Sequence, residues 1–570
     1  MTKNQKSLNQ KVIVNNSFRI LTIVSSLSLI AILLTMFIFI VIQSVGEISI
    51  VDILFTNNIN LDNPNNLQFS FWLPFSVTII TSVIALLIAA PLGIKTAIFI
   101  KFRIHKNHQK KARIFFDVLA GIPSVVFGLF AISSLGPAFE SIFGISPFSI
   151  FNSIIMLAFM IAPTVISLTI NNLDNISSDL ILNPMAMGST RTRAIYKIFL
   201  RAAKPGIIVA CVLAFTRAIS ESIALSMILS ATPNSDMFGG GFEFFASNFQ
   251  TIGAFLATMM FSETNIELIR PALFAFGLIL FIISIIINGL LVLIQRKKKS
   301  KFPWFMKIER AIYHIISFFP SFLSTLFEKI TYRSKKGYNV KSDNIEESIL
   351  YAKERIDNNN LKNTYSYYKI TLEWFSFLIC ISFVVWICGD IIINGAIAST
   401  SPNTILEYGR NDIGQSFVNT ILIVLTSILI SMPISLMVAI YLNEYAKKGF
   451  FKNSILFFAD SIGTTPSILF GMFGLIFFIE TLGFSAGGTT GNSLIAGSLT
   501  LSIVVIPTFV RFLQQALVNV PIELRINSIA LGNTKFSTIR RLVRPAATSW
   551  IVTTLFLTLG SIFSETAPLY

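Results

Sequence analysis

The residues whose types could do chemistry are few, and the most informative are charges inside apolar runs. Arg217 and Glu221 stand four residues apart in TRAISESIAL (216–225), inside the apolar run 206–229. A spacing of four puts two side chains on one helical face. Arg217 lies 12 residues beyond Pro205, about 18 Å into the run at ~1.5 Å per residue. That depth is near the middle of a hydrocarbon core about 30 Å thick. A charge placed there costs at least ~2.5–3.5 kcal/mol on insertion scales, so it must face a bundle interior or a wet cavity. A guanidinium is a planar fork of donors that matches the oxygens of an oxyanion. The functional expectation is a fixed positive charge on an anion pathway, held and partly neutralised by Glu221. A structural ion pair between helices is the alternative. Glu565, in SIFSETAPLY (561–570), is a third such charge.

No arrangement of catalytic type accompanies these charges. His105, His108 and His314 lie in or beside basic stretches. Cys211, Cys380 and Cys388 sit in apolar segments, with neither a disulfide framework nor metal spacing. Gly239–Gly241 and Gly487–Gly491 lack a following Gly-Lys-Ser/Thr, so they are not nucleotide loops; they read as extracellular loops. Asp390 is expected at an outer helix end. No enzyme activity, cofactor or metal is implied.

The elements that must position these residues are membrane helices. The chain has 570 residues, 53% apolar and 13% charged, with mean hydropathy +0.73; soluble proteins carry about 25% charged residues. Apolar runs long enough to span a bilayer recur throughout, which makes this an all-α polytopic membrane protein. A globular enzyme, a disordered chain and a secreted disulfide scaffold are excluded. Spans are expected over 18–43, 71–100, 118–135, 153–170, 206–229 and 272–294, then over 370–393, 415–442, 455–479, 494–513 and 546–570. Lys and Arg alternate with the spans. The loop 101–113 holds Lys101, Arg103, Lys106, Lys110, Lys111 and Arg113, whereas 44–70 and 136–152 hold none. This alternation predicts a cell-membrane protein with its N-terminus in the cytoplasm. It also accounts for the net charge of +16 through basic loops facing membrane lipid, without nucleic acid.

The chain repeats itself. Pro163, Gly188 and Glu221 recur as Pro507, Gly532 and Glu565, each offset by 344. Pro123-Ser124 recurs as Pro466-Ser467 and Pro91 as Pro433, at offsets of 343 and 342. Two modules in the same orientation are therefore expected, over 1–294 and 370–570. They are joined by a basic cytoplasmic linker, 295–369, with 16 Lys and Arg against 7 Asp and Glu. Within the linker, 302–326 mixes Trp304 and Phe305 with basic residues, as an interfacial helix would, and 334–364 reads as loosely ordered. The second module stops five residues after Glu565, where the first continues for 73 residues to Ile294. By this comparison the second module is expected to lack roughly 70–80 residues and a twelfth helix. Pro123 with Ser124 and Pro466 with Ser467 are expected to start or kink helices that line the pathway.

Each module also carries a basic loop, NPMAMGSTRTRAIYKIFLRAAKPG (183–206) and PIELRINSIALGNTKFSTIRRLVRPAA (521–547). These resemble the cytoplasmic loop of ABC importer permeases, whose pattern is Glu-Ala-Ala, three residues, Gly, nine residues, then Ile-x-Leu-Pro. Gly188 and Gly532 take the Gly position. The first copy keeps Ile198 and Leu200 but has Arg201 for the Pro; the second keeps Pro545; neither has the Glu-Ala-Ala. DVLAGIPSVVFGLF (117–130), DSIGTTPSILFGMFG (460–474) and the segments around Glu221 and Glu565 are similar to those of phosphate ABC importer permeases. The chain resembles the two permease subunits of that family fused, over about 18–294 and 370–570. The family has Arg in both modules, but Ser561 stands where the second is expected.

The resemblance implies two tandem modules of the six-helix type that translocate inorganic phosphate by alternating access. It implies two cytoplasmic ATP-binding subunits, seated on the loops around Gly188 and Gly532, and an extracellular phosphate-binding protein. Arg217, Glu221 and Glu565 would then line the substrate pathway, with Glu565 approaching Arg217 across the pseudo-two-fold axis. An importer of sulfate, molybdate or a phosphonate would share the architecture. An ion-coupled secondary transporter would account for the spans but not for the paired loops, and a phosphate-sensing scaffold is a further alternative.

Overall fold

The computed structural model describes residues 3–46, 50–56, 59, 68–119, 121–233, 235–260, 266–295, 345–399, 413–447, 449–484, 493–565 and 568–569. Among the described residues, regular structure is helical apart from one isolated bridge between Ala231 and Phe249. The first module comprises α1 (Lys3–Gln43), α2 (Trp72–Phe102), α3 (Lys106–Leu119), α4 (Ser124–Phe130), α5 (Ile150–Asp174), α6 (Asp179–Ala186), α7 (Leu200–Ser220), α8 (Ile223–Ile228), α9 (Ile252–Met260) and α10 (Ile266–Gln295). The second comprises α11 (Ile345–Ser399), α12 (Ile413–Ile440), α13 (Phe450–Thr464), α14 (Ser467–Gly474), α15 (Leu494–Val518), α16 (Ile522–Ala530) and α17 (Arg544–Ser564). Ten of the described helices are long and apolar enough to cross a membrane, or eleven when a bent pair counts as one span. Helices suit such a chain because each satisfies its own backbone groups where no water is at hand.

Equivalent helix pairs form the centre of each module, joined by different chemistry. In the first, α2 packs on α5 through small buried residues spaced by four, Ala85, Ala89, Gly93 and Ala97. A Cβ on Gly93 would come within 2.8 Å of Val165, so glycine sets the approach of the two backbones. In the second, α12 packs on α15 with hydroxyl bonds as glue. Ser427 Oγ donates to Ser498 O at 3.0 Å, and Ser435 Oγ to Ile506 O at 3.2 Å. Ser149 and Ser493, offset by 344, cap α5 and α15 by accepting from Asn152 N and Ala496 N.

Several spans depart from the hydropathy reading. The expected span 118–135 starts at Ser124 and continues through a π segment, Ala131–Leu135, to Phe143. Pro123 cannot donate to a preceding turn, and Gly144, at φ +67, ends the helix. The expected span 455–479 is a pair, Phe450–Gly463 and Ser467–Thr481, bent by 87° just before Pro466. The expected span 206–229 starts further upstream and stops at Ser220. Asp390 lies inside α11, accepting from Ser134 Oγ and from Asn394 Nδ2 (3.0 Å), rather than at a helix end. Residues 345–364, expected to be loosely ordered, belong to the helix that continues into the second module. Their Glu, Lys, Leu and Ala favour helix, and a long span beyond them supplies the nucleus. The segment 302–326 falls outside the described residues.

Each module's first helix packs on the other module. α1 lies against α12 and α13 of the second module as well as α10 of its own, with the Phe18 ring tilted against Tyr445 and Phe536 (centroids 6.4 and 4.7 Å). α11 lies against α2 and α5, and its Phe383 stacks on Phe159 of α5 at 3.9 Å. Near the basic end of α2, the fully buried Glu373 of α11 accepts from Arg103 Nε at 2.8 Å and Tyr196 Oη at 3.0 Å. Removing one partner of a buried pair strands the other charge and costs about 3–5 kcal/mol. Glu373→Ala is therefore expected to lower the thermal unfolding midpoint of the protein in lipid nanodiscs. The double variant Arg103→Met/Glu373→Met is expected to recover most of the loss. An unchanged midpoint for Glu373→Ala would remove this pair from the forces that hold the modules together.

Candidate functional site

The charged residues singled out in the sequence meet at two breaks in helix. α7 ends at Ser220, and Glu221 is extended, at φ −70 and ψ 128. The chain becomes helical again at Ile223. The Glu221 carboxylate accepts from Ala224 N at 3.2 Å, in the first turn of α8, and from the Ser124 side chain. Ser124 is the first residue of α4, and Pro123, at φ −57 and ψ 138, precedes the helix. The break thus joins α4, α7 and α8 through one carboxylate. Arg217 and Glu221 do not share a helical face, because Glu221 lies beyond the end of α7.

The second module repeats the backbone. α17 ends at Ser564 and Glu565 is extended, at φ −86 and ψ 104, with every bound shifted by 344. Glu565 lies within electrostatic reach of both Arg217 and Glu221. Arg217 Nη1 donates to Thr164 Oγ1 at 2.9 Å, on α5 just after Pro163. Ser561, at the position equivalent to Arg217, bonds within its own helix to Thr558 O at 2.9 Å. α14 begins at Ser467 after Pro466, at φ −55 and ψ 129; among the described residues Ser467 makes no bond to Glu565. The site is one guanidinium facing two carboxylates, at the join of the two modules.

Two residues here escaped the sequence reading. Thr164 follows a landmark proline, and only its contact distinguishes it from other span threonines. Gly253 opens α9, a nine-residue apolar helix too short to stand out by hydropathy. A Cβ on Gly253 would come 2.7 Å from Glu221 O, so the extended turn at Glu221 requires a glycine opposite it. The Gly239–Gly241 loop follows a short 3-10 turn, Ser235–Phe238, while Gly487–Gly491 falls outside the described residues.

The paired loops have the same backbone. α6 and α16 end in the same way: Gly188 N donates to Met185 O and Ser189 N to Pro184 O, Gly532 N to Ile529 O and Asn533 N to Ser528 O. Gly188 and Gly532 sit at φ +81 and +84, which a residue with a Cβ adopts only at a cost. Thr190 and Thr534 cap the next turns. Met187 and Leu531 just before the glycines are 82% and 84% exposed, and Met185 and Ile529 are exposed beside them. Sequence reasoning named the glycines and passed over these apolar residues, although their recurrence in a basic loop was readable. Ile198 is exposed, Leu200 half-buried, and Pro545 exposed at the start of α17.

Two copies of one helical bundle, each with a solvent-facing helix–glycine–helix loop and a charged break in a span, define a membrane permease built twice. The family described as binding-protein-dependent transport system inner membrane component matches residues 89–300 and again 431–570. The chain belongs to this family. It is 38% identical over 503 residues to a protein of Mycoplasma pneumoniae named a phosphate transport system permease protein PstA homolog, covering 88% of this chain and 77% of that one. A Mycoplasma genitalium protein of the same name is 37% identical, covering 89% and 78%. The phosphate transport system permease protein PstC of Mesorhizobium japonicum is 28% identical over 40% of this chain and 73% of its own length. As a permease component the chain is not an enzyme; it works with separate ATP-binding and substrate-binding partners.

Thr164→Val removes the acceptor that holds the guanidinium and is expected to slow substrate uptake about ten-fold, the scale of one bond to a charged group. Thr164→Ser keeps the acceptor and should stay near wild type. Equal uptake by Thr164→Val and wild type would show that the bond does not position Arg217.

Proposed function

We propose that this chain is the membrane-spanning permease of an ATP-driven importer of inorganic phosphate, with both halves of the permease in one polypeptide. The observation that carries this reading is the meeting of Arg217, Glu221 and Glu565 at the join of two modules, in a chain whose relatives over most of its length are named for phosphate transport. The basic loops face the cytoplasm, as the distribution of Lys and Arg favours. Two ATP-binding subunits seat on α6 and α16, one on each exposed pair Met185–Met187 and Ile529–Leu531. An extracellular phosphate-binding protein delivers the anion to the opposite end. Closure of the ATP-binding subunits moves the two loops as rigid bodies, and the modules rock about the charged breaks. Pro123, Ser124, Pro466 and Ser467 start the half-helices beside the pathway, and Arg217 takes the anion by its planar fork.

The test is ATP hydrolysis and labelled uptake by the protein in lipid vesicles, with its ATP-binding subunits and binding protein. Phosphate, sulfate, molybdate and a phosphonate are compared. Stimulation and uptake with phosphate alone is the expected result; another anion in its place would keep the architecture and change the substrate. Uptake without ATP would overturn the importer reading. Arg217→Ala and Arg217→Lys are both expected to lose most uptake while the complex still assembles, because neither keeps the fork.

The loops make a separate prediction. Gly188→Ala and Gly532→Ala each force a left-handed position at about 1–2 kcal/mol, with no clash, since nothing lies within 4 Å. Each is expected to weaken binding of the ATP-binding subunits about ten-fold, measured by titration of the detergent-solubilised permease. Unchanged binding by both would free the turns from a role in docking.

A further inference from the structure

We propose that Arg511 is a second anion-binding residue, one helical turn to the cytoplasmic side of the Arg217 level, which takes the substrate as it leaves. The inference rests on the importer reading above and goes beyond it by placing a site that family resemblance does not supply.

Arg217 is held by Thr164 of α5. Beyond Pro163 this helix is buried at Ile166 and Ile170 but half-buried at Thr164, Ser167 and Leu168 and exposed at Asn171. These positions recur every three or four residues and form one stripe. All but Leu168 are polar, and the first bonds Arg217. Partly exposed polar residues in a span do not face lipid. The stripe runs from Arg217 toward the basic end, where Ser167 and Asn171 meet Asp117 and Arg113 of α3.

α15 carries the same stripe, shifted by 344. Val510 and Leu513 are buried, whereas Thr508, Arg511 and Gln515 are open. Thr508 corresponds to Thr164 and Arg511 to Ser167. Three residues separate Thr508 from Arg511, about 4.5 Å along the helix. The Arg511 side chain is 46% exposed, and its one ion pair among the described residues is with Asp460 of α13. Asp460 corresponds to Asp117 at an offset of 343. In the first module Asp117 accepts from Ser167 and faces Arg113 at 3.8 Å. The carboxylate is thus common to both modules, and each has a guanidinium partner: Arg113 of α3 in the first, which also donates to Asn171 of the stripe, and Arg511 on the stripe itself in the second. At the level of the break the first module has Arg217 on α7, where the second has Ser561. The two modules offer staggered cations to one passing anion.

The pair with Asp460 makes this site transient. A tetrahedral oxyanion such as phosphate binds the same fork of donors as a carboxylate. An arriving anion exchanges with Asp460 and leaves when Asp460 returns, so the guanidinium keeps an anionic partner throughout. Conduction through a path needs such a sequence of sites, each strong enough to enter and weak enough to leave.

The test uses the reconstituted complex of permease, ATP-binding subunits and binding protein. Arg511→Gln and Arg511→Lys are both expected to slow labelled phosphate uptake, Arg511→Gln about ten-fold or more, the scale of one lost bond to a charged group, and Arg511→Lys by less, since it keeps the charge without the fork. Asp460→Asn releases the guanidinium from its competitor. Phosphate loaded inside the vesicles should then inhibit uptake at several-fold lower concentration, and the double variant Asp460→Asn/Arg511→Gln should lose that shift. A merely structural ion pair would not change the response to internal phosphate. Wild-type uptake by Arg511→Gln overturns the proposal. Where that variant fails to assemble, an Asp460→Asn protein with unshifted inhibition overturns it. Should the wild type carry another oxyanion, the importer's substrate is what fails, and the same variants are read with that anion.

Discussion

The constraint on which the rest of the structure depends is the cost of a charge inside a membrane span. Arg217 is held there by polar partners from several elements. Thr164 supplies an acceptor from α5, and Glu221 and Glu565 supply negative charge from the two modules. Neither carboxylate can occupy its place on a continuous helix, so α7 and α17 both stop one residue before it. The backbone freed at the first break is not left bare. Ala224 N turns to the Glu221 carboxylate, which thereby caps α8. One residue ends a helix, begins another and balances a cation. The close approach of Gly253 and the start of α4 at Ser124 follow from the need to enclose that turn.

The duplicated architecture separates what the backbone requires from what side chains may vary. Helix bounds, left-handed glycines and threonine caps of the paired loops repeat at one spacing, because they set the path of the chain. The contacts between helices do not repeat in kind. Small residues join α2 to α5, hydroxyls join α12 to α15, and an ion pair at one exchanged first helix faces an aromatic cluster at the other. Packing in lipid admits several kinds of glue of similar strength. The same latitude extends to the charged positions, where Ser561 and Arg511 in one half correspond to Arg217 and Ser167 in the other. On the proposed pathway, an anion moving between unequal halves would meet a sequence of sites rather than a symmetric ring.

Hydropathy and charge carried the class, the number of spans and the repeat, since a bilayer leaves few alternatives to an apolar helix. Charges inside apolar runs singled out Arg217 and Glu221, the repeat added Glu565, and the repeat with the loop resemblance singled out both loop glycines. They did not reveal that Glu221 lies past a helix end, because an apolar run reads the same whether it is one helix or two. Only the residue opposite, Gly253, distinguishes the cases, and it is 32 positions away in the chain. The helix over 345–364 was hidden for the opposite reason. Its polar residues read as a linker when taken alone, whereas as an extension of a long span they need no nucleus of their own. Tertiary contacts of this kind, such as Arg103 with Glu373 at a separation of 270 residues, leave no periodic trace.

The exchange of first helices also bears on why both halves reside in one chain. α11 contributes its buried carboxylate to the first module, where it accepts from Tyr196 of that module's loop and from Arg103, which in turn donates to Thr192. α1 reaches the loop of the second, where Asn15 Oδ1 accepts from Phe536 N at 3.1 Å. In two separate subunits, these contacts would have to form between molecules. Linking α10 to α11 in one chain makes the exchange intramolecular. Each loop then rests on a helix of the opposite module. Under the proposed importer reading, a push on either loop is thereby passed to a helix of the other half.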